Sequence, residues 1–86
     1  MTTVKLLYFA WVREQIGVEE EEVTLPDGVT TVGELMTHLG KRGDGYARAF
    51  AKPDVIRAAV DQAHAKHTAP VAGAREIAFF PPVTGG

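Results

Sequence analysis

The segment Thr31-Val32-Gly33-Glu34 constrains this chain more than any other. A threonine followed three residues later by glutamate is the capping box, in which the hydroxyl accepts from the third helical amide and the carboxylate reaches back to the cap. Val32, Leu35, Met36 and Leu39 then fall at i, i+3, i+4 and i+7, one apolar stripe, with Gly40 expected as the stop. The pattern predicts one main helix that must bury its stripe against something. Most of the remaining apolar runs read as strands, although Val55 to Gln62 would suit strand or helix, so the stripe is expected to face a sheet.

Val4 to Ala10 reads as a first strand, with Leu6 and Tyr8 of one parity and Leu7 and Phe9 of the other, so neither face is made for water. Trp11 to Ile16 reads as a short helix ended by Gly17. Val18 to Leu25 reads as a second strand returning antiparallel before the turn Pro26-Asp27-Gly28. Within it, Glu19 to Glu22 is expected to be a solvated edge, because adjacent carboxylates in a strand diverge and would make a poor metal site. Lys41 to Asp54 reads as a loop carrying a short helical turn, Val55 to Val60 as a third strand, and His64 to Ala69 as a short edge strand beyond a turn at Asp61-Gln62. Glu76 to Phe80 is the last strand, stopped by Pro81-Pro82. His38 has no second ligand at i+4, and His64 and His67 stand beside a proline in an edge segment, so no metal site is expected.

This order of elements predicts an α+β fold, the β-grasp or ubiquitin-like arrangement, with a mixed sheet of about five strands wrapping one main helix. The first and last strands should lie side by side at its centre. The domain is expected to span residues 1–82, leaving 83–86 as a tail. A chain of 86 residues can hold one modest core but no large enclosed active site. Without cysteine it has no disulfide, thiolate metal site or thiol nucleophile. A net charge of −2, with cations never clustered beyond Lys41-Arg42, argues against nucleic acid as a partner. The longest apolar run, Leu6 to Val12, is far short of the roughly 20 residues that span a bilayer, so a cytoplasmic protein with no membrane partner is expected.

The ending directs attention to a reactive tail. Pro81-Pro82 forms a stiff base, and the four residues beyond it reach at most about 14 Å. Glycine at both final positions removes every side chain near the carboxylate, which suits a tip that enters another protein's narrow active site. Leu7 and Phe9 on the first strand, with Ala78 and Phe80 on the last, share the outward parity and either supply a docking face or lie under a loop.

The ending Phe79-Phe80-Pro81-Pro82-Val83-Thr84-Gly85-Gly86 resembles that of the small subunits of molybdopterin synthase, the MoaD-type sulfur carriers. Val4 to Glu14, with Phe9-Ala10 and Arg13-Glu14, is similar to that family's opening, and Thr31 to Leu39 and Ala58-Ala59-Val60 match more loosely. Two glycines alone would also fit a ubiquitin-like modifier, or a carrier for tRNA thiolation or the thiamine pathway. The resemblance implies a non-catalytic sulfur-carrier subunit in molybdenum cofactor biosynthesis, with no cofactor bound by this chain. An E1-like adenylating enzyme would use ATP to activate Gly86, a sulfur donor (a sulfurtransferase) would leave a thiocarboxylate there, and the large subunit would take the sulfur for cyclic pyranopterin monophosphate. It further implies that Phe9, Arg13 and Phe80 lie at the large-subunit interface, that Val83, Thr84, Gly85 and Gly86 are threaded into its active site, and that the assembly is a heterotetramer. Asp61 stands where the family often carries asparagine, and His64 where it commonly has an aliphatic residue.

Overall fold

The computed structural model describes residues 3–82. The elements run β1 (Thr3–Tyr8), α1 (Ala10–Ile16), β2 (Glu20–Thr24), α2 (Val32–Gly40), α3 (Asp44–Ala49), a 3-10 turn (Pro53–Val55), β3 (Arg57–Val60), β4 (Ala63–Ala65) and β5 (Glu76–Phe80). The five strands form one mixed sheet in the order β2-β1-β5-β3-β4, with β1 and β5 parallel at the centre and the other pairs antiparallel. The expected ubiquitin-like β-grasp is therefore the fold. The two most apolar strands take central places, with β2 and β4 at the edges.

Strand parity decides the core. Val4, Leu6 and Tyr8 of β1, Ala58 of β3, and Ile77 and Phe79 of β5 are buried on the inner face, where the α2 stripe Val32, Leu35, Met36 and Leu39 joins them in one cluster. The capping box forms as the sequence requires. Thr31 Oγ1 accepts from the Glu34 amide at 3.2 Å, and Glu34 Oε1 accepts from the amides of Thr30 and Thr31 and from the Thr30 hydroxyl at 2.6 Å. These donors, the Thr30 hydroxyl foremost, hold the Glu34 carboxyl below its usual range.

Several boundaries differ from the sequence reading, each for a local reason. Helix α2 runs through Gly40, and its cap is Lys41 in a right-handed conformation, so Gly40 is the last helical residue and not a left-handed stop. Gly17 does take that role for α1, at φ 96°. The third strand starts at Arg57, because Pro53 opens a 3-10 turn that takes in Val55. The edge strand is only Ala63–Ala65, joined to β3 through Asp61 and Gln62, both at positive φ, as a two-residue hairpin turn demands. The Asp61 carboxylate then accepts from the amides of Arg75 and Glu76 at 2.9 and 3.0 Å and fixes the start of β5, a task the amide oxygen of asparagine could also perform. The segment after Lys41 forms a six-residue helix, α3, rather than a loop with a single turn.

The acidic run is not wholly a solvated edge. Register places Glu21 opposite Leu6 on the inner face. Its Oε2 accepts from the Tyr8 hydroxyl at 2.8 Å and the Tyr46 hydroxyl at 2.7 Å, and Arg42 pairs with its other oxygen at 3.5 Å while lying 5.0 Å from the Tyr46 ring centroid. One carboxylate thus ties β1, β2 and α3 together. Burial first, then the bond to Glu21, pushes both tyrosine hydroxyls above their ordinary pKa. Glu21→Ala leaves the buried Tyr8 hydroxyl without its acceptor and is expected to cost about 1–3 kcal/mol, whereas Glu21→Gln keeps an acceptor and should cost less. Urea denaturation of both variants checks this; equal losses would mean that the hydroxyl does not depend on that oxygen.

Candidate functional site: the outer sheet face and the base of the tail

The side chains of opposite parity form the outer face, and register arranges them in rows. One row reads Glu20, Leu7, Ala78, Ala59 and His64 across all five strands. Further toward the carboxyl end of β5, the Phe9 amide donates to the Phe79 carbonyl at 3.1 Å, continuing the β1–β5 ladder so that Phe9 and Phe80 share the next position. Arg57 stands opposite Phe80 on β3. In the other direction, Glu22, Lys5 and Glu76 make a charged row, and Lys5 bridges to Glu20 at 3.2 Å. The face is apolar at the end where β5 gives way to Pro81-Pro82 and charged at the far end.

No described helix or loop seals the apolar end. Leu7, Ala78 and Phe80 are half-buried, and Phe9 is 47% exposed. Of the two possibilities left open by the sequence, the uncovered face is the one realised. Phe9 and Phe80 are therefore not core residues, although each follows a fully buried aromatic in the chain, Tyr8 and Phe79. The His64 ring meets Phe80 edge-on with centroids 5.6 Å apart. Arg13 is exposed on α1 and makes no ion pair among the described residues. Helix α1 starts directly at Phe9 in its extended cap conformation, so Phe9 and Arg13 are held by one short element whose Val12 is anchored in the core.

Structure adds residues that the sequence reading left out. Trp11 is 37% exposed on α1, off the line of Val12 and Ile16, which point inward. Arg57 and Ala59 enter the face through antiparallel pairing with β5. Their shared parity was visible in the sequence, but their neighbours depended on strand register. Among the described residues no three His, Asp or Glu side chains converge as metal ligands, and no helix is long and apolar enough to cross a membrane. Val83, Thr84, Gly85 and Gly86 lie outside the described residues. What the described part offers is a surface suited to docking, at the base of the segment that leads to the tail.

Comparison with known proteins agrees with this arrangement. Over 83 residues the chain is 39% identical to the molybdopterin synthase sulfur carrier subunit of Escherichia coli, a match covering 96% of this chain and 99% of the relative. Among solved structures, the small archaeal modifier protein 1 of Haloferax volcanii superposes with a TM-score of 0.72 at 25% identity, covering 96% of this chain and all of that one. A putative molybdopterin converting factor, subunit 1, from Pyrococcus furiosus does so with a TM-score of 0.73 at 27% identity and the same coverage. The resemblance carried by the opening strand and the eight-residue ending is thus borne out along nearly the whole chain. Residues 6–86 match the ThiS family, and the chain belongs to it.

Proposed function

We propose that this protein is the sulfur-carrier subunit of a molybdopterin synthase. The observation that carries the reading is the 39% identity to the Escherichia coli carrier over almost all of both chains. The uncovered apolar end of the outer face, at the base of the Gly-Gly ending, supports it. A carboxylate is ionised at neutral pH and a poor electrophile, so the Gly86 carboxylate must first be activated. An E1-like partner joins it to AMP from ATP with release of pyrophosphate, and a sulfur donor then displaces AMP to leave the thiocarboxylate. The tail, Val83 to Gly86, enters the large subunit's active site, and Phe9, Arg13 and Phe80 dock the body. In this scheme the small chain supplies a cargo group and a docking face, and the groups that catalyse transfer to cyclic pyranopterin monophosphate belong to the large subunit.

A second reading, a protein modifier joined through Gly86 to lysines, draws on the likeness to the archaeal modifier. Incubation of the full chain with an E1-like activating enzyme, ATP and a sulfide source, followed by intact mass measurement, separates the two. The carrier reading expects exchange of one oxygen for sulfur at the carboxyl terminus, and one stable complex with a molybdopterin synthase large subunit. An unchanged mass would sink it, and isopeptide adducts on many proteins would favour the modifier.

A further inference from the structure

Beside Phe80, at the end of the sheet that bears the tail, lies an open groove of about 500 Å³ between the start of β3 and the end of β4. Its floor is Ile56 with Ala58 and Ala65, and its polar lining is the cations Arg57 and Lys66 and the imidazoles of His64 and His67, against a single anion, Asp54. In a chain of net charge −2 this is a local reversal of sign. Among the described residues neither Arg57 nor Lys66 is held in an ion pair. His67 is fixed through Nε2 to the Ile56 carbonyl at 2.8 Å, and His64 is set by its edge contact with Phe80. The floor residues Ile56 and Ala58 belong to the core, and the groove reaches the apolar end of the outer face through Arg57 and His64, while the opposite flank of that face carries Glu20 and Glu22. Across the sheet the outer face thus carries Glu20 and Glu22 at β2 and Arg57 on β3, with Lys66 just beyond β4.

We propose that this groove receives an acidic segment of the protein that accepts the tail, and that this contact sets the rotation in which the two proteins dock. The inference rests on the carrier reading and adds the chemistry of recognition to it. Charge complementarity selects the occupant. The two cations stand apart, Arg57 at the start of β3 and Lys66 just after β4, which fits an extended acidic segment better than one small anion. Opposite signs on the two flanks mean that a partner rotated by half a turn would set like charges against each other, which is disfavoured.

Charge reversal at Lys66 tests this against a matched control. Lys66→Glu and Lys41→Glu change the net charge equally, and both sites are exposed, but Lys41 lies at the end of α2, outside the groove. Binding of the full-length variants to a molybdopterin synthase large subunit is expected to weaken about ten-fold for Lys66→Glu at low salt, chiefly through a slower association rate. The difference should shrink as ionic strength rises, and Lys41→Glu should stay within about two-fold of the parent. Equal losses for the two variants would overturn the groove's role and leave the carrier reading intact. Failure of the parent chain to bind the large subunit would count against the carrier reading itself. The groove is then probed separately by titrating the ¹⁵N-labelled full chain with hexaglutamate. Amide shifts confined to Arg57, His64, Lys66 and their neighbours support an acid-binding groove, and their absence or an even spread over all lysines overturns it.

Discussion

Phe79→Ala is expected to lose a large share of the stability of this domain, while Phe80→Ala, one residue away, should cost little stability and weaken partner binding. Phe79 is fully buried, stacks on Tyr8 at 6.4 Å between centroids and meets Phe50 edge-on at 5.2 Å. Truncating a buried phenylalanine costs about 3–5 kcal/mol, because the lost transfer free energy is joined by that of the cavity left behind. A domain of this size holds roughly 4–13 kcal/mol in total. The melting temperature should therefore fall by about 15 °C or more. Phe80 points the other way and keeps part of its surface in water, so its loss should cost less, about 1 kcal/mol of folding. A central aromatic of a docking face is instead a hot-spot candidate, worth about 2 kcal/mol or more, or some 30-fold in Kd for the large subunit. Thermal melts of both variants, with binding measured for Phe80→Ala, give the readout. If Phe80→Ala unfolded the domain, or bound as tightly as the parent, the assignment of the two faces would be wrong.

Gly45→Ala should destabilise the protein, and Gly40→Ala should stabilise it slightly, although both glycines lie in helices. A Cβ on Gly45 would run into the backbone carbonyl oxygen of Gln15, whereas one on Gly40 would meet nothing within 4 Å. Alanine in place of a helical glycine gains about 0.5–1 kcal/mol when nothing opposes it. At Gly45 the opposing group is backbone, fixed by α1, and α1 cannot retreat without lifting Val12 from the core. Overpacking of this kind typically costs about 1–3 kcal/mol and occasionally more, so the clash should win by about 1 kcal/mol or more. It would also strain the bond from Arg48 Nε to Gln15 Oε1, now 2.9 Å. Denaturation midpoints moving in opposite directions for the two variants confirm the close approach of α1 and α3. A stabilised Gly45→Ala would refute it.

These two cases also show where sequence carries structure and where it does not. The helix at Thr31 was legible because its capping box and stripe are encoded within nine residues that need no outside partner. The central pairing of the first and last strands followed from apolar residues on both parities. Glu21 was not legible, because its inward direction depends on Tyr8, thirteen residues before it, and Tyr46, twenty-five after it, both offering hydroxyls to one oxygen. Helix α3 was hidden for a similar reason. Gly43 and Gly45 read locally as loop, but Gly45 is there to let two helices touch, a cause that lies in α1. The outward face was foreseen for Leu7, Phe9, Ala78 and Phe80 by parity alone, whereas its basic flank required the register of β3 and β4.

The parallel pairing of β1 with β5 has a consequence for when the protein becomes competent. The second strand of the chain's central pair is also the last of the described elements. A nascent chain lacking β5 has no neighbour for β1 on that side, no Phe79 to close the core and no Phe80 on the outer face. Such long-range pairing is a late and slow step in assembly, because the intervening loop must be ordered first. The sheet therefore closes only once residues 76–80 are available. A partner that must grip the face before it accepts the tail would thereby inspect the fold, and unfinished or misfolded copies would be excluded from activation without a separate checkpoint.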